Sequence, residues 1–174
     1  APRARRRTSG PGRRLDPTSP AMSQIAELLP AGNILLDLDA GSKARLFDAV
    51  GTLFEANCGL SRQVVVGSLQ AREKLGSTGL GQGIAIPHGR IRGLRAAQGA
   101  FVRLKAPIPF EAPDGKPVAQ VFILLVPEHA TEQHLQLLSE LAQMFSERSF
   151  RERLANAPDP ARLHALFAQW APAA

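Results

Sequence analysis

One of only four histidines in this 174-residue chain, His88, lies in the run Ile86-Pro87-His88-Gly89. An imidazole that is largely neutral near pH 7 is a good nucleophile toward phosphorus. The proline fixes its own φ, has no N–H, and pushes Ile86 toward extended geometry. A strand reaching Pro87 is therefore expected to end its hydrogen-bond ladder there, leaving His88 at a rim or cleft edge. Gly89, without a Cβ, is expected to clear a close approach for another chain. Taken singly, a histidine at a strand end fits a structural role at least as well.

Two further side chains could act with it on a phosphoryl group. Arg72, in Ala71-Arg72-Glu73-Lys74, stands directly before a glycine-rich loop. A guanidinium binds phosphoryl oxygens bidentately and stays charged at any working pH. By itself it also reads as a solvated cation near a helix C-terminus. His134 falls in the first turn of a helix opened by Thr131, where free N–H groups and the positive dipole end favour an anion. It shares a face with Leu138, Leu141 and Phe145, so its ring is expected to point inward; the bland alternative is a buried histidine with a backbone partner. His129, in a polar turn, and His164, in a terminal helix, receive no role. The 129/134 spacing is i, i+5, which argues against the i, i+4 zinc motif. A single cysteine, Cys58, excludes cysteine-rich zinc sites and fits a reducing compartment. No cofactor or metal is expected.

The elements that must position these residues follow from capping and periodicity. Residues 23–30 read as a short helix capped by Ser23 and stopped by Pro30, and 33–39 as a strand. Residues 42–59 form a helix with Ser42 as N-cap, apolar Leu46, Val50, Leu53 and Phe54 at helical spacing, and Gly59 at its end. A second helix over 61–76 takes Ser61 as cap, with its period continuing through Leu69 and Leu75. After the glycine loop come the strand GIAIP and two stronger strands, 99–105 and 118–126, joined through turn chemistry at 112–115. The last is apolar nearly throughout and is expected to be central. Residues 131–145 predict a helix whose stripe is Leu135, Leu138, Leu141, Ala142 and Phe145, and shorter helices follow around 147–156 and 159–170. Helices on both sides of a central group of strands imply one three-layer α/β/α domain.

Charge and composition narrow the function classes. The chain carries 44% hydrophobic and 21% charged residues, as soluble globular proteins do. No apolar run approaches the roughly 20 residues of a membrane helix, so no membrane insertion is expected. The net charge is +6, but residues 1–21 hold six arginines against Asp16 and so contribute +5 of it. The remainder is nearly neutral, and with no tyrosine, one tryptophan and eight phenylalanines it argues against nucleic-acid binding. Residues 1–21 read as a basic tail that cannot order itself, and Met22 as the natural start, the residues before it being an extended reading frame or added sequence.

The glycines of residues 76–83 invite a nucleotide reading, which spacing removes. Gly76 and Gly81 have the P-loop separation, but Gln82-Gly83 stand where Lys-Ser/Thr is required. Gly79, Gly81 and Gly83 give G-x-G-x-G rather than the dinucleotide fingerprint, and a helix precedes the loop where a strand is needed.

Together, AREKLGSTGLGQGIAIPHG and HLQLLSELAQMF resemble the IIA phosphocarrier domains of the mannitol/fructose class of the bacterial phosphotransferase system. The match falls on Arg72, Glu73, the loop glycines, Ile86 to Gly89, His134, Leu135 and Leu138, and extends over residues 22 to 170. The opening MSQIAELLPAGNILLDLDAGSKARLF is similar to the nitrogen-regulatory branch. The resemblance implies a mixed β-sheet flanked by helices. It implies that His88 accepts a phosphoryl group from an HPr-like phosphohistidine protein, with Arg72 and His134 stabilising it. It further implies a cytoplasmic regulator whose partners, such as potassium-transport regulators or sensor kinases, read its phosphorylation state. The nearest alternative is a sugar-specific (fructose/mannitol) IIA component that passes the group to a IIB domain. From other classes come a nucleic-acid-binding protein acting through the arginine tail, and a zinc hydrolase.

Overall fold

A computed structural model describes residues 23–129 and 131–172. The arginine-rich tail and Met22 lie outside these residues. Six helices and six strands follow in the order α1 (Gln24–Leu28), β1 (Ile34–Leu38), α2 (Lys43–Cys58), α3 (Arg62–Lys74), β2 (Gly79–Gly81), β3 (Ile84–Ala85), β4 (His88–Ile91), β5 (Gln98–Ile108), β6 (Val118–Pro127), α4 (Thr131–Ser146), α5 (Arg148–Asn156) and α6 (Pro160–Gln169). The helix ends are where the local chemistry puts them. The Ser42 hydroxyl accepts from Arg45 N–H at 3.3 Å, and Gly59, at φ 69°, closes α2 in the left-handed region. Ser61 occupies the N-cap position of α3 without capping it; the Glu55 carboxylate of α2 accepts from Arg62 N–H instead, at 2.7 Å.

The sheet runs β1-β5-β6-β3-β2, with β4 also paired to β6. It is mixed: β5 is antiparallel to β6 and parallel to β1, while β3 and β4 both lie parallel to β6. β6 is buried from Gln120 to Val126 and divides the interior into two cores. On one face α2 and α3 pack Leu46, Phe47, Val50, Phe54, Val65 and Leu69 onto β5 and β6. On the other, α1, α4, α5 and α6 enclose an aromatic cluster in which Phe167 meets Phe101, Phe122, Phe145 and Phe150. Helices on both faces of a mixed sheet make the three-layer α/β/α domain expected from the sequence.

Four expectations change. Leu75 and Leu135 are not core residues: they are 84% and 62% exposed, and Leu137 and Met144 take the buried places on α4 beside Leu141 and Phe145. Ala142 is exposed as well. Pro87 does not end the ladder. Its carbonyl accepts from Leu124 N–H at 3.0 Å, and pairing on β6 resumes at once with His88 opposite Leu124. The missing N–H only interrupts the stretch that runs alongside β6, dividing it into β3 and β4. Gly89 clears a path for the chain's own α3. A Cβ there would collide with the Ser68 hydroxyl and stand 3.1 Å from Ser68 Cβ. The glycine loop also contains unforeseen structure, a two-residue β2–β3 hairpin turned by Gln82 and Gly83 at φ 60° and 78°.

Candidate active site

β4 presents His88 half-buried at the edge where both helical layers meet. Arg72, from the last turn of α3, donates from Nε to His88 Nε2 at 3.2 Å. A guanidinium has donors only, so Nε2 must carry a lone pair. The ring proton therefore resides on Nδ1, which donates to the Ile86 carbonyl at 2.9 Å. A second Arg72 bond, Nη1 to the Gly76 carbonyl at 2.9 Å, fixes the guanidinium on the turn that leaves α3.

From the opposite layer, α4 brings His134 to an edge-on contact with His88, the ring centroids 5.1 Å apart and the planes at 72°. His134 Nε2 is buried with no hydrogen-bond partner. Such an atom forgoes water without compensation and is suited to a ligand that supplies an oxygen. Both histidines titrate below the ordinary 6.5. Burial is the main cause for His88, reinforced by Arg72 and opposed by the Ile86 hydrogen bond and by Glu73. Burial also leads for His134, followed by the fields of His88, Arg90 and Arg72. Two uncharged imidazoles and one guanidinium thus face each other at neutral pH, a combination that leaves room for an anion.

Arg72 and His88 open into a groove of about 340 Å³ lined also by Ser77, Thr78, Leu80 and Ser139. A larger crevice of about 560 Å³ against Lys43, Gln70, Lys74 and Glu111 contains no histidine. Its size does not outweigh the chemistry of the smaller groove. Among the described residues there is no group of three or more His, Cys, Asp or Glu placed to hold a metal. His129 is exposed, and His164 contacts the Ala26 carbonyl at 3.0 Å, joining α6 to α1.

The structure thus assembles His88, Arg72 and His134, which are far apart in sequence, at one point. Sequence reasoning missed the groove hydroxyls of Ser77, Thr78 and Ser139, which no spacing rule singles out. Arg90 was missed too, although its i, i+2 relation to His88 on one strand places the two on the same face.

A domain of this topology, with a paired histidine and arginine at the sheet edge, matches the family model described as phosphoenolpyruvate-dependent sugar phosphotransferase system, EIIA 2, over residues 27–170. The chain belongs to that family. Within it, similarity is strong to nitrogen regulatory proteins. That of Pseudomonas aeruginosa is 41% identical over 83% of this chain and 95% of its own length. The crystal structure of nitrogen regulatory protein IIA-Ntr from Neisseria meningitidis superimposes with a TM-score of 0.80 at 53% identity, covering 83% of this chain and 99% of that one. The fructose-specific EIIABC component of Bacillus subtilis is 33% identical over 77% of this chain but only 21% of that protein.

Proposed function

We propose that this chain is a regulatory phosphocarrier in which His88 Nε2 accepts a phosphoryl group from the phosphohistidine of an HPr-like protein. The observation that carries the reading is the Nε2 lone pair, held 3.2 Å from Arg72 Nε beside the unpartnered Nε2 of His134. In the transfer the N–P bond to His88 Nε2 forms as the donor's N–P bond breaks, and the donor ring leaves neutral. His88 becomes cationic as the bond forms, and the Ile86 carbonyl facing its Nδ1–H stabilises that charge. Arg72 passes from the lone pair to the phosphoryl oxygens, and His134, protonated on Nε2, donates to another. A largely dissociative transfer needs alignment and charge stabilisation more than covalent help, and these groups supply both. The exposed Leu75, Leu80 and Leu135 follow or flank the site residues and provide an apolar rim for a docking carrier.

The phosphoryl group adds about two negative charges at one surface, which changes the partners that can dock there. We assign the protein to the nitrogen-regulatory branch in the cytoplasm, with potassium-transport regulators or sensor kinases as the class of target. The match to a nitrogen regulatory protein over 95% of its length favours this over a sugar-specific component serving a IIB domain. Restoration of fructose or mannitol uptake in a strain lacking that component would favour the alternative.

The test is incubation with the phosphorylated donor. The chain is expected to gain an acid-labile, base-stable label on His88 Nε2, lost in His88→Ala. Arg72→Lys keeps the charge but loses the fork, and is expected to slow labelling about 10²-fold. A His88→Ala protein that labels normally refutes the assignment.

A further inference from the structure

We propose that Glu73 is the positioning residue of this site: its carboxylate holds the 76–79 loop, and from that loop hang both the Arg72 guanidinium and the carbonyl that fixes the His88 tautomer. The inference rests on His88 being the phosphoryl acceptor.

Glu73 neighbours Arg72 on α3, yet its side chain is only 7% exposed and turns toward the protein. A buried carboxylate is costly unless its oxygens are saturated. Here they are. Oε1 accepts from Lys43 Nζ at 3.0 Å and from Thr78 N–H at 3.1 Å, and Oε2 accepts from the Thr78 hydroxyl at 2.7 Å. Lys43 sits 4.7 Å from the centre of the Phe110 ring, and the Phe110 carbonyl accepts from the Ser77 hydroxyl. The contacts form a closed circuit, Lys43 to Glu73 to Thr78, Ser77 and Phe110 and back, which ties residues 77 and 78 to α2, α3 and the segment that follows β5.

Both halves of the site depend on this segment. The Thr78 carbonyl accepts from Ile86 N–H at 3.0 Å, and the Ile86 carbonyl takes the His88 Nδ1 proton. The Gly76 carbonyl, two residues before Thr78, holds Arg72 Nη1. A displaced loop would therefore release the tautomer and the guanidinium together. The path transmits position rather than electron density. It enters Thr78 and Ile86 through N–H and leaves each through C=O, and those two groups of one residue belong to different peptide planes. No conjugated unit links Glu73 to the imidazole.

The experiment compares wild type with Glu73→Gln in the full chain. It measures the phosphoryl-transfer rate, urea unfolding, and the ¹⁵N resonances of the His88 ring and Arg72 Nε before any phosphorylation. The glutamine keeps the shape but loses the charge and one acceptor. Transfer is expected to fall about tenfold or more, since an ångström of misplacement costs about 10²-fold. In the same protein His88 is expected to become a mixture of tautomers and the Arg72 Nε–H signal to shift. Wild-type transfer, or slow transfer with both signatures unchanged, overturns the proposal. Should Glu73→Gln fail to fold, Thr78→Val removes only the 2.7 Å bond. Its expected result is a smaller change of both signatures in the same direction, and unchanged spectra overturn the proposal. These spectra do not need a donor, so a His88→Ala protein that still labels would sink the phosphocarrier reading separately.

Discussion

Gly89→Ala is a severe test of how the site is built, because one methyl group acts on it through a helix. The added Cβ would meet the Ser68 hydroxyl, with Ser68 Cβ at 3.1 Å and its backbone carbonyl carbon at 3.3 Å. The hydroxyl can rotate away, but it then gives up its 3.0 Å bond to the Arg90 carbonyl, a loss of about 1 kcal/mol. The two carbon contacts remain below the ordinary ~3.5–4.0 Å separation, so α3 must recede by a few tenths of an ångström. Overpacking of this kind costs about 1–3 kcal/mol, and with the lost bond the total is about 2–4 kcal/mol. Ser68 and Arg72 are one turn apart on the same face of α3, so the guanidinium retreats with the serine. A shift of about half an ångström predicts a loss of about tenfold in transfer rate. Urea unfolding and rapid-quench phosphorylation measure the two effects. In a Ser68→Ala background the worst clash is absent, and Gly89→Ala should cost at least about 1 kcal/mol less, a coupling a double-mutant cycle resolves. Gly89→Ala with wild-type stability and rate, or an additive cycle, would refute the claim that this glycine exists to seat α3.

The histidine pair makes acid a second probe. The unfolded chain takes up protons at the ordinary histidine value of 6.5, which the folded chain, with both values lowered, refuses. Stability from this source is complete above pH 6.5 and is lost as pH falls below it toward the folded values. His134→Ala should therefore flatten the stability–pH curve below 6.5, and an unchanged slope in chemical denaturation would contradict this. Because His88 lowers His134, His88→Ala should raise the His134 midpoint in an NMR titration. At the β2–β3 turn, Gln82 occupies φ 60° without being glycine. Gln82→Asn, better suited to that conformation, should stabilise the chain by about 0.5–1 kcal/mol in urea unfolding and leave the labelling rate unchanged.

Much of the scaffold could be read directly because its signals are local. Ser42 and Gly59 mark the ends of α2, the apolar run of β6 marks a strand covered on both faces, and Ser23 caps α1 as such a residue does. Periodicity erred at the edge of the candidate site. Leu75 and Leu135 continue helical stripes, yet they stand in solvent beside Arg72 and His134. A hydrophobic pattern cannot tell a core residue from an exposed one. The roles of Pro87 and Gly89 depended on neighbours distant in sequence, Leu124 for the continued ladder and Ser68 for the close approach. Glu73 was visible only as a member of a motif. Its partner Lys43 meets it through tertiary packing, which no one-dimensional spacing encodes.

The two groups that converge on His88 come from opposite faces of the sheet, Arg72 with the α2–α3 layer and His134 with α4. The candidate site therefore exists only as a seam, closed when both halves of the molecule have docked against the strands. A nascent or partly melted chain still contains the imidazole but lacks one or both of its neighbours. For the phosphocarrier proposed, reactivity would in this way be reserved for the finished domain, and a damaged copy would be silent in signalling rather than a drain on the donor.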